Sequence, residues 1–444
     1  MTPFFSRTLL SSACALLLVQ AGSAQAIGVL QAYQAALKND PQYRAAQAES
    51  MAGKEYIAIG RSSLLPNLQY SYSSSKNKGD SNSGRGIERL DYSSLSRNIS
   101  VRQTLFNTEN FARFEQGKAQ TLLSDAQFDS RSQDLLLRVV SSYLDAKFAD
   151  EQVQLYSAQR DFYVEQRKLN DKTFEKGEVS KTDMLETQAK LDVSEATLLE
   201  AKDNALTARN NLSEMIGQEV TSLDTLNEQF GAIDLTQKSF AEWKEIAESH
   251  SPDIAAAQYA LEVADKEITK SRAGHAPRVD LNASYNHGAS ESYQTRGQDN
   301  NIRSIGVSFV MPLYSGGYVN AVSKQAVARK EKAKSELDGT VGRTMVEIRK
   351  QLNAVSTSFN KIVALEKSVK SANLLVDATR QSIKGGMRIN LDLLNAQQQL
   401  VSSKRDLAQA RYTYLNSYLK LKAAAGVLGE EDVRVVAGYF TAVN

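Results

Sequence analysis

The chain has 444 residues, with 53 Lys and Arg against 51 Asp and Glu, so its formal net charge at pH 7 is only +2. This near balance excludes the strongly basic surface typical of nucleic-acid-binding proteins, and no nucleic-acid partner is expected. A mean hydropathy of −0.39 and a charged fraction of 23% exclude a helical membrane bundle and a disordered chain. The six prolines make up about 1.4% of the chain, far below the usual ~5%, so very long helices are allowed.

The first 26 residues have the pattern of a secretory signal peptide. Arg7 supplies the positive start, residues 9–19 are apolar, and Ala24-Gln25-Ala26 has the small-x-small form of a cleavage site. The alternative is a single membrane anchor, but the apolar stretch is too short to cross ~30 Å of hydrocarbon. We therefore predict cleavage after Ala26, which also removes Cys14, the single cysteine. An exported protein without disulfides is expected.

The two halves of the chain repeat one plan. Pro41 and Pro252 are 211 residues apart, and so are Pro66 and Pro277. Each first proline follows a capping residue (Asp40 or Ser251) and is predicted to open a helix, whereas each second proline turns a helix into a strand. These pairs predict a tandem duplication.

Each repeat is predicted to run helix, strand, loop, strand, long helix, turn and return helix. The first repeat covers 27–230, with strands near 66–75 and 96–106, a long helix at 109–175 and a return helix at 182–216. The second covers 231–426, with strands near 277–286 and 302–313, a long helix at 318–384 and a return helix at 390–426. Residues 427–444 are predicted to form a C-terminal equatorial segment or a tail.

The predicted strands alternate apolar and polar side chains over about 10 residues, which is long enough to cross a bilayer at a tilt. The apolar positions are Leu68, Tyr70 and Tyr72; Ile99, Val101 and Leu105; Val279, Leu281, Ala283 and Tyr285; and Ile305, Val307, Phe309 and Met311. Four strands cannot close a membrane barrel, which needs at least about eight. A membrane role thus requires two copies or three, and a soluble sheet packed on helices is the alternative.

The return helices repeat every seven residues, which is typical of coiled-coil packing. The larger seam comprises Met184, Leu191, Leu198, Ala205 and Leu212, and 209 residues later Leu393, Leu400, Leu407, Tyr414 and Leu421. A parallel seam consists of small residues such as Thr187, Ser194 and Ala201. Each long helix can reach ~100 Å at 1.5 Å per residue. A soluble coiled-coil rod would account for the helices, but not for the alternating strands or the export signal.

With this duplicated order, the sequence resembles the TolC family of outer-membrane channel-tunnels over essentially the whole mature chain. The resemblance rests on Leu-Pro-Asn-Leu at 65–68, Met-Pro-Leu-Tyr-Ser-Gly-Gly at 311–317, Gly-Met-Arg-Ile-Asn-Leu-Asp-Leu-Leu-Asn-Ala at 386–396 and Ala-Arg-Tyr-Thr-Tyr-Leu at 410–415. It implies an α+β, mostly α fold and a homotrimer with a 12-stranded barrel in outer-membrane lipid. It also implies a periplasmic α-helical coiled-coil barrel, closed until a periplasmic adaptor and an inner-membrane ABC or proton-driven transporter dock.

The functional candidates lie at the two helix-to-helix turns, because the sequence has no catalytic motif and no cofactor or metal site is expected. By the resemblance, Asp392 matches an aspartate that forms a ring at the periplasmic entrance, and Arg388 matches an arginine that holds the closed state. Thr182 and Asp183, in the first repeat, match the partners of that arginine. The resemblance implies a second ring aspartate at position 395, but the sequence has Asn395 there. The ring is therefore predicted to attract cations more weakly. Alternatively, Asp183 and Asp392 are first-turn acids favoured by the helix dipole.

Three glycines punctuate the same turns. Gly177, Gly385 and Gly386 are expected to permit the turn conformation, and they are also candidates for the tip that meets the adaptor.

The function predicted from these features is a passive exit duct in the outer membrane of a Gram-negative bacterium, extending into the periplasm. Because the chain start carries no lipidation signal, type I secretion is favoured slightly over drug efflux. The alternative from a different class is a periplasmic coiled-coil adaptor or structural rod.

Overall fold

A computed structural model describes residues 26–82, 86–177, 179–227, 230–231, 238–290 and 297–441. The predicted signal peptide lies outside these residues, except for Ala26. The first repeat contains α1 (Val29–Asn39), α2 (Pro41–Ser62), β1 (Asn67–Asn82), β2 (Ile87–Asn107), α3 (Thr108–Glu175), α4 (Lys181–Ile216) and the short strand β3 (Thr225–Leu226). The second contains α5 (Phe240–His250), α6 (Pro252–Arg272), β4 (Arg278–Ser290), β5 (Gln298–Val310), α7 (Tyr318–Lys384) and α8 (Asn390–Ala424), followed by α9 (Glu430–Ala437) and β6 (Phe440–Thr441).

The helices that follow the paired prolines begin differently in the two repeats. Asp40 caps α2, because its Oδ1 accepts a hydrogen bond of 2.7 Å from the amide of Tyr43. The same carboxylate contacts both terminal nitrogens of Arg138 on α3 at 3.2 Å. Ser251 makes no side-chain capping bond at the start of α6. The prediction of a side-chain cap was therefore correct at position 40 and wrong at position 251.

The four long strands form one antiparallel sheet in the order β1-β2-β4-β5. Neither edge strand, β1 or β5, has a further partner strand among the described residues. The β1–β2 hairpin is longer than predicted and extends past β4, whose pairing with β2 begins at Ser94 opposite Ser290. A bulge between Thr104 and Phe106 shifts the alternation, so Phe106 and not Leu105 lies opposite Val279.

The return helices bury most positions of the seams that the seven-residue period predicted, while Met184, Leu191 and Leu407 are half-buried. In the larger seam Leu198, Ala205, Leu212, Leu393, Leu400, Tyr414 and Leu421 are buried; in the small seam Thr187, Ser194, Ala201, Ala396, Ser403, Ala410 and Ser417 are buried. Small side chains allow the helices to approach closely, which stabilises the two hairpins α3–α4 and α7–α8.

The main hydrophobic core surrounds the middle of α3, where α1, α8 and α9 meet it. Tyr143 of α3 is fully buried there, and its hydroxyl donates to the carbonyl of Ile27 at 3.0 Å and accepts from the amide of Asp224 at 3.1 Å. The two short strands β3 and β6 pair beside it. In the part of the chain that the structure describes, no helix combines the length and apolar character needed to cross a membrane.

Candidate functional site at the helical turns

A glycine in the left-handed region makes each turn between a long helix and its return helix. Gly177 has φ +75° and its amide donates to the carbonyl of Phe174 at 2.9 Å. Gly386 has φ +73° and donates to the carbonyl of Ile383 at 2.9 Å. Side chains with a Cβ rarely adopt this conformation, so these two glycines fit the turns. Gly385 has φ −85°, which residues with a Cβ also adopt, so its own backbone conformation does not require a glycine.

Asp183 lies at the third position of α4 and closes a capping box with Ser180. Its Oδ2 accepts from the Ser180 amide at 3.1 Å and from the Ser180 hydroxyl at 2.8 Å, while the Asp183 amide donates to Ser180 Oγ at 3.2 Å. These bonds hold the carboxylate at the helix start. Thr182, beside it, is exposed.

Asp392 occupies the same third position in α8 but has a different partner. The residue before α8 is Ile389, which has no side chain able to cap the helix. The carboxylate of Asp392 instead lies 3.6 Å from Nη1 of Arg388, and the two side chains are 37% and 54% exposed. An ion pair this exposed is weak, so the Asp392 carboxylate stays accessible to solvent. Asn395 is exposed one turn further along α8.

A buried hydroxyl joins the two turns. Thr187 Oγ1 on α4 accepts from Asn170 Nδ2 on α3 at 2.8 Å and from Asn390 Nδ2 on α8 at 3.1 Å, and it donates to the carbonyl of Asp183 at 2.9 Å. Thr187 is fully buried and Asn170 is 3% exposed. The structure thus brings both predicted turns to one end of the molecule.

Sequence reasoning missed the role of Asn170 and Asn390 in this contact. Thr187 was recognised only as a member of the small seam, and a polar residue in that seam was the available signal. A second contact between α4 and α8 follows at Lys190, whose Nζ donates to Gln398 Oε1 at 2.8 Å. Among the described residues of one protomer, Arg388 makes no hydrogen bond or ion pair with Thr182 or Asp183.

The family model for "Outer membrane efflux protein" matches residues 32–218 and 243–427. The two matches correspond to the two repeats, which confirms the tandem duplication. Alkaline protease secretion protein AprF of Pseudomonas aeruginosa is 41% identical over 432 residues, covering 96% of this chain and 90% of the relative. Proteases secretion protein PrtF of Dickeya chrysanthemi is 37% identical over 430 residues, covering 94% and 92%.

The fold is also that of a solved channel. The crystal structure of the Campylobacter jejuni CmeC outer membrane channel superposes with a TM-score of 0.79 at 18% identity, covering 93% of this chain and 90% of that one. The resemblance to the TolC family is confirmed, and the alternative of a soluble rod is not supported. The chain belongs to the outer membrane efflux protein family, and it is an exit duct of the outer membrane, not an enzyme.

Proposed function

We propose that three copies of the chain assemble into one duct, each giving four strands to a 12-stranded barrel. The observation that carries this proposal is the sheet, which has two open edges and one exposed apolar face. Ile305 and Val307 of β5 are 78% and 64% exposed, and Leu68 of β1 is 71% exposed. Open edges pair with neighbouring strands, and a face of this kind is stable in lipid. Four strands are too few to close alone, and three copies supply 12.

The internal repeat supports the same assembly in the helices. Leu185 and Leu206 on α4 are 56% and 59% exposed, whereas their counterparts 209 residues later, Leu394 and Leu415 on α8, are at most 1% exposed. In the second repeat this helix face is covered within the protomer. We infer that a helix of a neighbouring copy covers it in the first repeat.

Introducing charged residues on this face of α4 tests whether it lies in the trimer interface. Leu199, 71% exposed on the same face, would be changed together with Leu206 to lysine. Trimers detected by chemical cross-linking in detergent should fall to a small fraction of wild type, because burying unpaired charges at an interface is costly. Glu200→Lys, on an exposed neighbouring position of α4, is the control and should still cross-link as a trimer. Normal trimers in the double variant would contradict the assignment of this face.

We further propose that the duct exports a protein substrate by type I secretion. The names of AprF and PrtF, "Alkaline protease secretion protein" and "Proteases secretion protein", support this assignment, because both relatives match nearly the whole chain. The duct would then dock to a periplasmic adaptor and an inner-membrane ABC transporter, with Gly177, Gly385 and Gly386 at the docking tip.

Complementation separates secretion from drug efflux. The chain would be produced in a host that carries a protease-exporting transporter and adaptor but lacks their outer-membrane channel. Protease in the medium is the expected result. Restored drug resistance without secreted protease would favour efflux through a proton-driven partner.

The gate is proposed to lie at the turns, where three copies of Asp392 would form a ring around the axis. Arg388 and Asp392 are proposed to belong to the polar contacts that hold this end shut, with Thr182 and Asp183 of a neighbouring copy within the same constriction and Asn395 behind it. Single-channel conductance of Arg388→Ser and Asp392→Ala should rise. Unchanged conductance in both variants would exclude these residues from the gate.

We also propose where the mature chain begins and what its C-terminal segment forms. Cleavage after Ala26 would start the mature protein at Ile27, whose amide donates to the carbonyl of Ser222 at 3.1 Å. Residues 427–444 are proposed to form an equatorial segment, since α9 and β6 within it pack near the middle of α3. N-terminal sequencing of the exported protein should read Ile27 first.

A further inference from the structure

The apolar face of the sheet changes character toward the end farthest from the helices. Residues directly opposite each other in antiparallel strands lie on the same face of the sheet. We call each line of such opposite residues across the strands a row. Ile305 lies opposite Ala283, and Arg303, one row further, lies opposite Tyr285. On the neighbouring strands Ile99 lies opposite Tyr285, and Arg97, one row further, lies opposite Tyr72 and His287. Arginine thus follows directly on the apolar rows of β2 and β5.

Three cations on this face have no carboxylate partner among the residues that the structure describes. Arg97, Arg303 and Lys76 are exposed, and none makes an ion pair within the described ranges. The cations further out on the same face are paired: Lys78 lies 3.5 Å from Asp91, and Arg89 lies 3.9 Å from Asp80. Asp299, also on this face, contacts His287 at 3.2 Å. Arg303 and Arg97 directly follow Ile305 and Ile99 on their strands, whereas Lys76, opposite Ser93, lies two rows beyond Arg97. The unpaired positive charge that borders the apolar rows is therefore that of the two arginines.

The opposite face of these rows carries no charge. Its residues at this level are the small or polar Ser71, Ser73, Ser96, Asn98, Asn286, Gly288, Asn300 and Ser304, together with the apolar Ile302. A need for solubility alone would not place the cations on one face, so the partner of these charges lies outside the barrel wall and not in its lumen.

The height of these rows matches the level of lipid headgroups. An apolar band about 25 Å tall, crossed at about 45°, takes roughly 10 residues of strand. Counted from Val310, where β5 ends nearest the helices, this length reaches the rows of Arg303 and Asn301. Tyr285, which stacks under Arg303 at 5.7 Å, lies in the same row, as expected for an interfacial aromatic girdle.

We propose that Arg97 and Arg303 bind the phosphate groups of a phosphorylated glycolipid in the outer leaflet. Two intervening strand spacings and one row place the two arginine Cα atoms roughly 12 Å apart. Two guanidinium groups at this separation can each hold one phosphate of a bisphosphorylated headgroup, because a guanidinium matches phosphate geometry. The inference rests on the proposed barrel, since it needs this face to contact lipid.

Native mass spectrometry of the full chain in detergent tests the proposal, with bisphosphorylated lipid A and enzymatically dephosphorylated lipid A as probes. Wild type should retain the bisphosphorylated form at least about tenfold better. The double variant Arg97→Gln with Arg303→Gln should lose this preference. The matched control Lys334→Gln with Lys361→Gln, two exposed lysines of α7, removes the same charge from the helices and should keep it.

Equal retention of the two lipids by wild type, or an unchanged preference in the arginine variant, would overturn the proposal. Trimers would be counted in the same spectra. Intact trimers without phosphate preference contradict the lipid site alone, whereas absence of trimers in wild type contradicts the proposed assembly. If the arginine variant fails to assemble, the single change Arg97→Lys, which keeps the charge but not the planar fork, should still weaken the preference.

Discussion

The contact between Asn390 and Thr187 predicts how strongly the two hairpins of one protomer hold each other at the helical turns, where the gate is proposed to lie. Asn390→Ala removes the amide that reaches from α8 to α4 over 3.1 Å. It leaves the bond from Asn170 to Thr187 at 2.8 Å in place. The α3–α4 hairpin should therefore stay intact, while α8 is freed from it.

The size of the effect follows from the number of copies. One hydrogen bond contributes about 0.5–1.5 kcal/mol net. If α8 leaves α4 when the duct opens, the three copies of the proposed trimer opening together lose about 1.5–4.5 kcal/mol of closed-state stabilisation. The opening equilibrium should then rise by roughly 10-fold to 2,000-fold.

Open probability of single channels in a planar bilayer measures this equilibrium. Gln399→Ala is the matched control, because Gln399 lies on the same helix and its amide bonds Ser403 of α8 itself at 3.5 Å. The control should gate like wild type. An open probability for Asn390→Ala no higher than that of Gln399→Ala would refute the assignment of this contact as a restraint on opening.

Two further predictions concern buried and exposed carboxylates. Burial favours the neutral acid at Asp40, but hydrogen bonds from Arg138 and the Tyr43 amide outweigh it, so the pKa of Asp40 lies below its ordinary value. Its stabilisation is thus present above about pH 4 and is lost as the pH falls through the folded-state pKa. Asp40→Asn, which can still cap α2, should lower the free energy of unfolding by about 1–3 kcal/mol near pH 7, and urea titrations should find the deficit shrinking toward pH 3; a deficit independent of pH would contradict this. Asp392→Asn should reduce the cation-to-anion permeability ratio measured from reversal potentials, whereas Asp183→Asn should change it little; equal effects would show that the capping box does not withhold the Asp183 charge from the pore.

The duplicated fold was predictable because its signals are local and occur twice. Prolines at equal spacing limit where helices can start, and the seven-residue seams need a partner helix. The structure departs from the sequence prediction where tertiary contacts decide. The extended β1–β2 hairpin crosses a serine- and glycine-rich stretch that reads as a loop, and its cross-strand ion pairs, such as Lys78 with Asp91, become visible only in register.

The candidate site was located by its turns but not by its contacts. Position in a helix predicts that Asp183 and Asp392 are alike, since both lie three residues into a return helix. The two helices differ in the residue before their first turn: Ser180 can close a capping box with Asp183, whereas Ile389 cannot cap α8. The different partners of the two carboxylates become visible only in the structure. The bond from Asn390 to Thr187 joins residues 203 positions apart, beyond the reach of any local pattern.

The capping box at the start of α4 and the missing side-chain cap at the start of α8 make the two return helices differ at the turns. In the proposed trimer six return helices would surround the axis, and identical starts would give it nearly sixfold symmetry. Because the capping box of Ser180 and Asp183 uses only residues of the α4 start, it does not need a neighbouring copy. The proposed gate can therefore open while the α4 helices stay in place. The first turn of α8 has no side-chain cap, and its side chains contact Arg388 and the Thr187 hydroxyl of α4 instead. In the proposed trimer, a partner that competes for those groups would act on the three α8 helices and leave the three α4 helices undisturbed, so the duct would open with threefold and not sixfold symmetry.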